Sequence, residues 1–237
     1  MIQELLYLID ENKERCFSNP PVTVRENKRA PLIGFAGIVA VRNLVDRLNV
    51  ASKIDSHVSV FKRHNPYFES DHVLNFVYNF LTGGEVINDI ERMQQSQGLL
   101  RILGSERMPD PTTAGDFLVR FGEQEIGSFQ TACERIQEEA FSLLNKDRKQ
   151  LATIEHDSSI HEVYGGKKEG ADYAYNNTYS YSAQYVTLAE TGDVLDQELY
   201  SGNRYSSFGL KGRLPHIIDR VAAHFSRVRY RADSASY

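Results

Sequence analysis

At Gln150 the spacing of apolar residues changes, and with it the structures open to the chain. Before that point hydrophobic residues recur at intervals of three and four; after it they alternate, or run in short blocks between Gly, Asn and Asp clusters. In the first regime Ile38, Val41, Leu44, Val45 and Leu48 share one helical face. A second stripe, Val73, Leu74, Val77, Tyr78 and Leu81, predicts a helix over 71–81 capped by Ser70 and ended by Gly83-Gly84. A third helix is expected over 85–95 through Val86, Ile87, Ile90 and Met93, then a short apolar piece, Leu99 to Leu103, closed by Gly104. Beyond Pro109 and Pro111, Thr113 and Asp116 stand near capping-box spacing and predict a short helix ending near Gly122. Ile126, Phe129, Cys133, Ile136, Ala140 and Leu144 then form the seam of a long helix that runs out in the polar stretch Asn145 to Gln150. Short helices joined by tight turns permit a helix-turn-helix, but plain helical packing meets the same spacing.

The second regime reads differently. A strand is expected over 151–158, then a stretch over 163–181 rich in Gly, Lys, Asn and Tyr that suits an extended loop or irregular hairpin. Strands over 181–189 and 194–200 bracket the turn Glu190-Thr191-Gly192-Asp193. Leu214, Ile217, Ile218, Val221 and Phe225 mark a helix within 206–225 whose first turn Pro215 restricts, and a last strand covers 228–233. Strand, hairpin, helix, strand is the order of the first four strands of a ribonuclease-H-like sheet. The expected fold class is therefore α/β, a helical N-terminal region followed by an incomplete ribonuclease-H-like mixed sheet. Its parts are a poorly organised lead-in over 1–36 with an edge strand at Val22 to Val24, a helical region over 37–150, and a sheet region over 151–237.

That order carries a chemical consequence. A strand that follows a crossover helix returns parallel to its origin, and neighbouring strands lie roughly 4.8 Å apart. The first and last strands each lead to an aspartate, Asp157 and Asp233, expected at matching strand ends. In the last strand Val228, Tyr230 and Ala232 share one face while Arg229, Arg231 and Asp233 share the other. Two carboxylates so placed can hold a hard divalent cation and support in-line displacement at phosphorus. A single Asp at a strand end is more commonly a turn or capping residue; the pair in this relation brings the metal reading level with that one. Glu155 shares the face of Asp157 as a neighbour rather than a ligand, His156 is expected to face the core, and only Ser234 to Tyr237 follow Asp233, so no third acid can be placed after it. Gly165-Gly166 lacks the glycine, lysine and hydroxyl pattern of an ATP-binding loop.

Composition narrows the class. The 237 residues have a formal net charge of −5 and no apolar run near the length of a membrane span. Met1 to Asp10 has neither a basic leader nor a small-residue cleavage site, so no signal peptide is expected. Two distant cysteines, Cys16 and Cys133, fit idle thiols in a reducing compartment, and the expected location is the cytoplasm. Charge is segregated: seven Lys or Arg against one acid over 204–231, but eleven acids against five arginines over 85–145. Solvated helix faces account for such runs as readily as phosphate-binding surfaces do. Lys167, Lys168, Arg204, Arg229 and Arg231 are candidates for DNA phosphates, and Tyr173, Tyr175 and Tyr181 for stacking or hydrogen bonds nearby.

Several motifs in one order resemble bacterial insertion-sequence transposases of the DDE type, in the family known as thirteen-eighty. They are Leu-Thr-Gly-Gly-Glu from Leu81, Pro-Asp-Pro-Thr-Thr-Ala-Gly-Asp-Phe-Leu-Val-Arg-Phe from Pro109, Val-Tyr-Gly-Gly-Lys-Lys-Glu-Gly-Ala-Asp from Val163, Leu-Ala-Glu-Thr-Gly-Asp-Val-Leu from Leu188, Ser-Gly-Asn-Arg from Ser201 and Arg-Ala-Asp-Ser from Arg231. The last departs from the family's usual Arg-Gly-Asp-Ser. The resemblance implies the N-terminal portion of a transposase, with Asp157 and Asp233 as the first two acids of a catalytic triad, Mg²⁺ (or Mn²⁺) as the ion, and the third acid, a Glu, in a region outside this chain. It implies double-stranded DNA as partner, both element ends and target, with a homodimer or a full-length transposase as further partners and no membrane. Region 37–150 is then a candidate for holding element-end DNA, and 151–237 a partial catalytic domain with little activity alone. The rival expectations are a truncated DNA-binding, inhibitor-like protein and a decayed gene product.

Overall fold

A computed structural model of the chain describes residues 34–35, 37–62 and 66–233. The expected lead-in, apart from residues 34–35, lies outside the described residues, and with it the strand expected at Val22 to Val24 and Cys16. Internal contacts divide the chain into two compact units between Ile136 and Gln137.

The first unit is helical: α1 (Ile38–Arg47), α2 (Val50–His57), α3 (Glu69–Leu81), α4 (Ile90–Gln94), α5 (Gln97–Leu103), α6 (Pro111–Leu118) and the first part of α7 (Glu123–Leu143). Its core gathers Ile38, Leu74, Tyr78, Ile90, Met93, Leu99 and Leu103, and a second cluster forms around Ile54, Val58 and Ala132. Ile38 and Leu48 of the expected α1 face and Leu74 and Tyr78 of the expected α3 face are buried, whereas Leu44 and Leu81 are exposed, and the caps differ from expectation. Helix α3 begins one residue before Ser70, which instead donates to Asp55 through both its N–H and its hydroxyl. The first turn of α3 is held by Asp71, which accepts the Phe68 N–H at 2.9 Å, and by Glu69, whose buried carboxylate accepts from Val60 and Phe61.

Helix α6 is also capped earlier than its Thr113/Asp116 spacing predicted. Asp110 is the N-cap; its carboxylate accepts the N–H groups of Thr112 and Thr113 at 2.9 and 3.0 Å and the Thr113 hydroxyl at 2.7 Å. Pro111 occupies the first helical position, where its missing N–H costs nothing. The hydroxyl of Thr113 also satisfies the cap, which holds the Asp110 carboxyl below the usual carboxylate range. Helix α5 ends as expected at Gly104, in the left-handed conformation with φ 64°.

The second unit is a five-stranded mixed sheet carrying one long helix: β1 (Ala152–Glu162), β2 (Asp172–Tyr173), β3 (Tyr179–Leu188), β4 (Val194–Ser201), α8 (Leu210–Ala222) and β5 (Val228–Ala232). Strand β3 pairs antiparallel with β1 along one edge, while its other edge is shared end to end by β4 and β2. Strand β5 lies parallel to β1. This is the α/β, ribonuclease-H-like arrangement expected from the order of elements. One face of the sheet is buried: Ala152, Ile154, Val186, Leu188 and Leu195 pack with Leu210, Ile217, Val221 and Phe225 and with Phe141 from the end of α7. Pro215 is not in the first turn of α8 but inside the helix, which starts after Gly209 at φ 74°. A Cβ at Gly209 would meet the Tyr200 hydroxyl at 2.5 Å as well as straining the backbone.

Candidate active site

The parallel ladder sets the site. Ala152 pairs with Val228, and the register advances one residue at a time to His156 opposite Ala232. Asp157 and Asp233 are the residues that directly follow this last pair. Side chains at paired positions of parallel strands share a face, and the ion pair between Glu155 and Arg231 shows which face this is. Both aspartates are exposed.

One expectation needs correction. Asp157 is not at the end of its strand: β1 continues five residues further, to Glu162, paired with β3 throughout. The turn-or-cap reading of Asp157 therefore has no turn to act on. Asp233 does follow directly on the last residue of its strand. The mismatch arises because Ser158 to Glu162 are mostly polar, and an exposed strand extension carries no apolar alternation for a sequence reading to follow.

His156 points the opposite way and is buried at 4 % exposure, as expected. It lies among Gln184 on β3 and Arg213 on α8. Arg213 donates to Gln184 at 3.0 Å, pairs with Asp196 and approaches Glu198 at 3.9 Å. The sheet register sets these groups at the level of the aspartates, since Ser158 pairs with Gln184 and Gln184 with Glu198. Burial, and then the Arg213 cation, hold the His156 imidazole below its ordinary pKa, against an upward pull from Asp157 and Asp233. No sequence signal pointed to this polar layer: Arg213 is one cation of several in its helix, with Lys211 and Arg220, and only the fold brings it against β3 and β4.

Among the described residues no three His, Cys, Asp or Glu side chains gather as a complete metal cage. What the sheet supplies is two hard oxygen donors on one open face, which suits a divalent cation of the magnesium kind. Arg229 and Arg231 flank them on the same face of β5, with Arg231 engaged by Glu155. Lys167 and Lys168 lie exposed in the loop after β1, and Arg204 follows β4 with its guanidinium 4.5 Å over the Phe208 ring. These three are not beside the aspartates but at the carboxyl end of β1.

The model of the family described as transposase DDE domain group 1 matches residues 18–237. The chain belongs to that family. No curated protein and no solved structure matches it significantly. Membership of a transposase DDE family implies DNA as the substrate. No helix among the described residues of this transposase domain is long and apolar enough to cross a membrane.

Proposed function

We propose that this transposase domain serves metal-dependent DNA strand cleavage and transfer, with Asp157 and Asp233 as two acids of its catalytic set and as ligands of Mg²⁺ or Mn²⁺. The observation that supports the reading is the β1–β5 register, which pairs His156 with Ala232, the residues directly before the two aspartates. A divalent ion bound there would activate the attacking oxygen and stabilise the leaving one. The chain's own part is to hold the ion from rigid strands and to hold the DNA. Arg229 and Arg231 face phosphates next to the acids, and Lys167, Lys168 and Arg204 grip the backbone further along. The helical region is proposed to help hold element-end DNA, and the protein to work in the cytoplasm on double-stranded DNA, as a homodimer or with a full-length transposase.

Among the described residues no third acid gathers with this pair, and the chain is proposed to bind DNA and cut it poorly. The test is incubation of the purified chain with the DNA flanking its own coding sequence, with Mg²⁺ or Mn²⁺. Binding without cleavage is expected, with cleavage restored by adding a segment that carries a third acid. Efficient cutting by the 237 residues that survives Asp157→Ala would sink the assignment of these acids.

A further inference from the structure

The face that carries the aspartates also carries a line of tyrosines. Asp157 pairs across the sheet with Tyr185, His161 with Tyr181, and β2 sets Tyr173 opposite Tyr179. Residues 185, 181 and 179 alternate onto one side of β3, so all four rings belong to the acids' face. The Tyr185 hydroxyl meets His161 at 3.5 Å, and the Tyr173 and Tyr179 rings lie 5.4 Å apart. The line ends in side chains that are largely open: Tyr173 at 62 % exposure and Tyr175, in the turn between β2 and β3, at 92 %. Two hydroxyls brace the basic loop against this track, Tyr179 to the Lys168 carbonyl at 3.4 Å and Tyr181 to that of Glu169 at 2.5 Å. Asn203, next to Arg204, donates to Asp172 at 2.6 Å and ties the loop after β4 to the same end.

Resting on the transposase reading, we infer that this track is a stacking surface for unpaired nucleobases of the DNA strand whose phosphate lies at the aspartates. A buried role does not suit Tyr173 and Tyr175, while Tyr179, Tyr181 and Tyr185 are half-buried, and interleaved lysine, arginine and tyrosine is the chemistry that holds single strands: cations follow the backbone while aromatic faces take bases of any sequence. Loop charges balance, with Lys167, Lys168 and Arg204 against Glu162, Glu169 and Asp172. Stacking rather than phosphate attraction is therefore what sets this end apart. From Asp157 to Glu162 the strand rises roughly 17 Å, so the track fits a short unpaired stretch of a few nucleotides.

The test compares two labelled probes in EDTA: a blunt 30-base-pair duplex and the same duplex with a five-nucleotide poly-dT tail. The wild-type chain is expected to bind the tailed probe at least about tenfold more tightly. In a Tyr173→Ser/Tyr175→Ser variant the preference should fall to about twofold, while Tyr173→Phe keeps it and Lys167→Ala/Lys168→Ala weakens both probes alike. Both tyrosines are exposed, so an unchanged melt is expected to certify the fold. Equal binding of the two probes by the wild type, or a preference that survives loss of both tyrosines, would overturn the inference and leave the metal-site reading standing. Failure to bind either probe would overturn the DNA-holding reading as well.

Discussion

Two residues on this chain do opposite things with burial. Asp157 stands exposed on the open face of β1, next to the register position of Asp233, so its carboxylate is available to a cation. His72 is buried in the helical unit, its ring stacked 4.6 Å from Phe117 and 5.1 Å from Phe61. Burial, and then the charge of Arg120, lower its pKa from 6.5 to about 4. Because the folded value lies below the unfolded one, the neutral ring's contribution to stability is full above pH 6.5 and is lost as pH falls toward 4. Urea unfolding followed between pH 7 and pH 4 should show the helical unit weakening through this window. His72→Phe should flatten that part of the profile; an unchanged slope in the variant would show that other groups set it.

At the scale of elements, caps and close approaches decide what the sequence left open. Replacing the cap Asp110 by Ala removes three accepted hydrogen bonds and is expected to cost about 1 kcal/mol, measured as a lower urea midpoint at unchanged slope. Gly202 marks the place where β4 gives way to β2 along the edge of β3. A Cβ there would lie 2.5 Å from the Asp172 carbonyl oxygen and 2.7 Å from that of Ser180. Gly202→Ala should therefore loosen the tip that carries the basic loop, seen as faster amide exchange around Ser180 and Asp172 with the helical unit unaffected. The helices and the order of strands were legible because apolar spacing records which face is buried. The cap of α6 was not, because Pro111 reads as a barrier in sequence and is the favoured first residue in the helix. Nor was the length of β1, whose exposed half has nothing to bury, or the Arg213–Gln184 contact, which joins residues 29 positions apart. The aspartate pair is an expectation from topology: neither residue is unusual alone, and the crossover strand brings Ala232, just before Asp233, opposite His156, just before Asp157.

For the molecule as a whole, a net charge of −5 does not prevent DNA binding where individual Lys and Arg side chains meet phosphates. Binding of blunt duplex should weaken as salt rises, and removal of Lys167 and Lys168 together should reduce the slope of log K against log salt by about 2. An unchanged slope would place the phosphate contacts elsewhere. The central claim is that two aspartates distant in sequence hold one divalent ion between them. It is tested most directly by titrating Mn²⁺ into the wild-type chain, Asp157→Asn, Asp233→Asn and the double variant, with bound ion read by electron paramagnetic resonance. If one site is shared, each single substitution removes nearly all the binding that the double removes, while the melting temperature holds. If the two losses simply add, or neither substitution changes Mn²⁺ binding, the aspartates do not form a common site and the account fails.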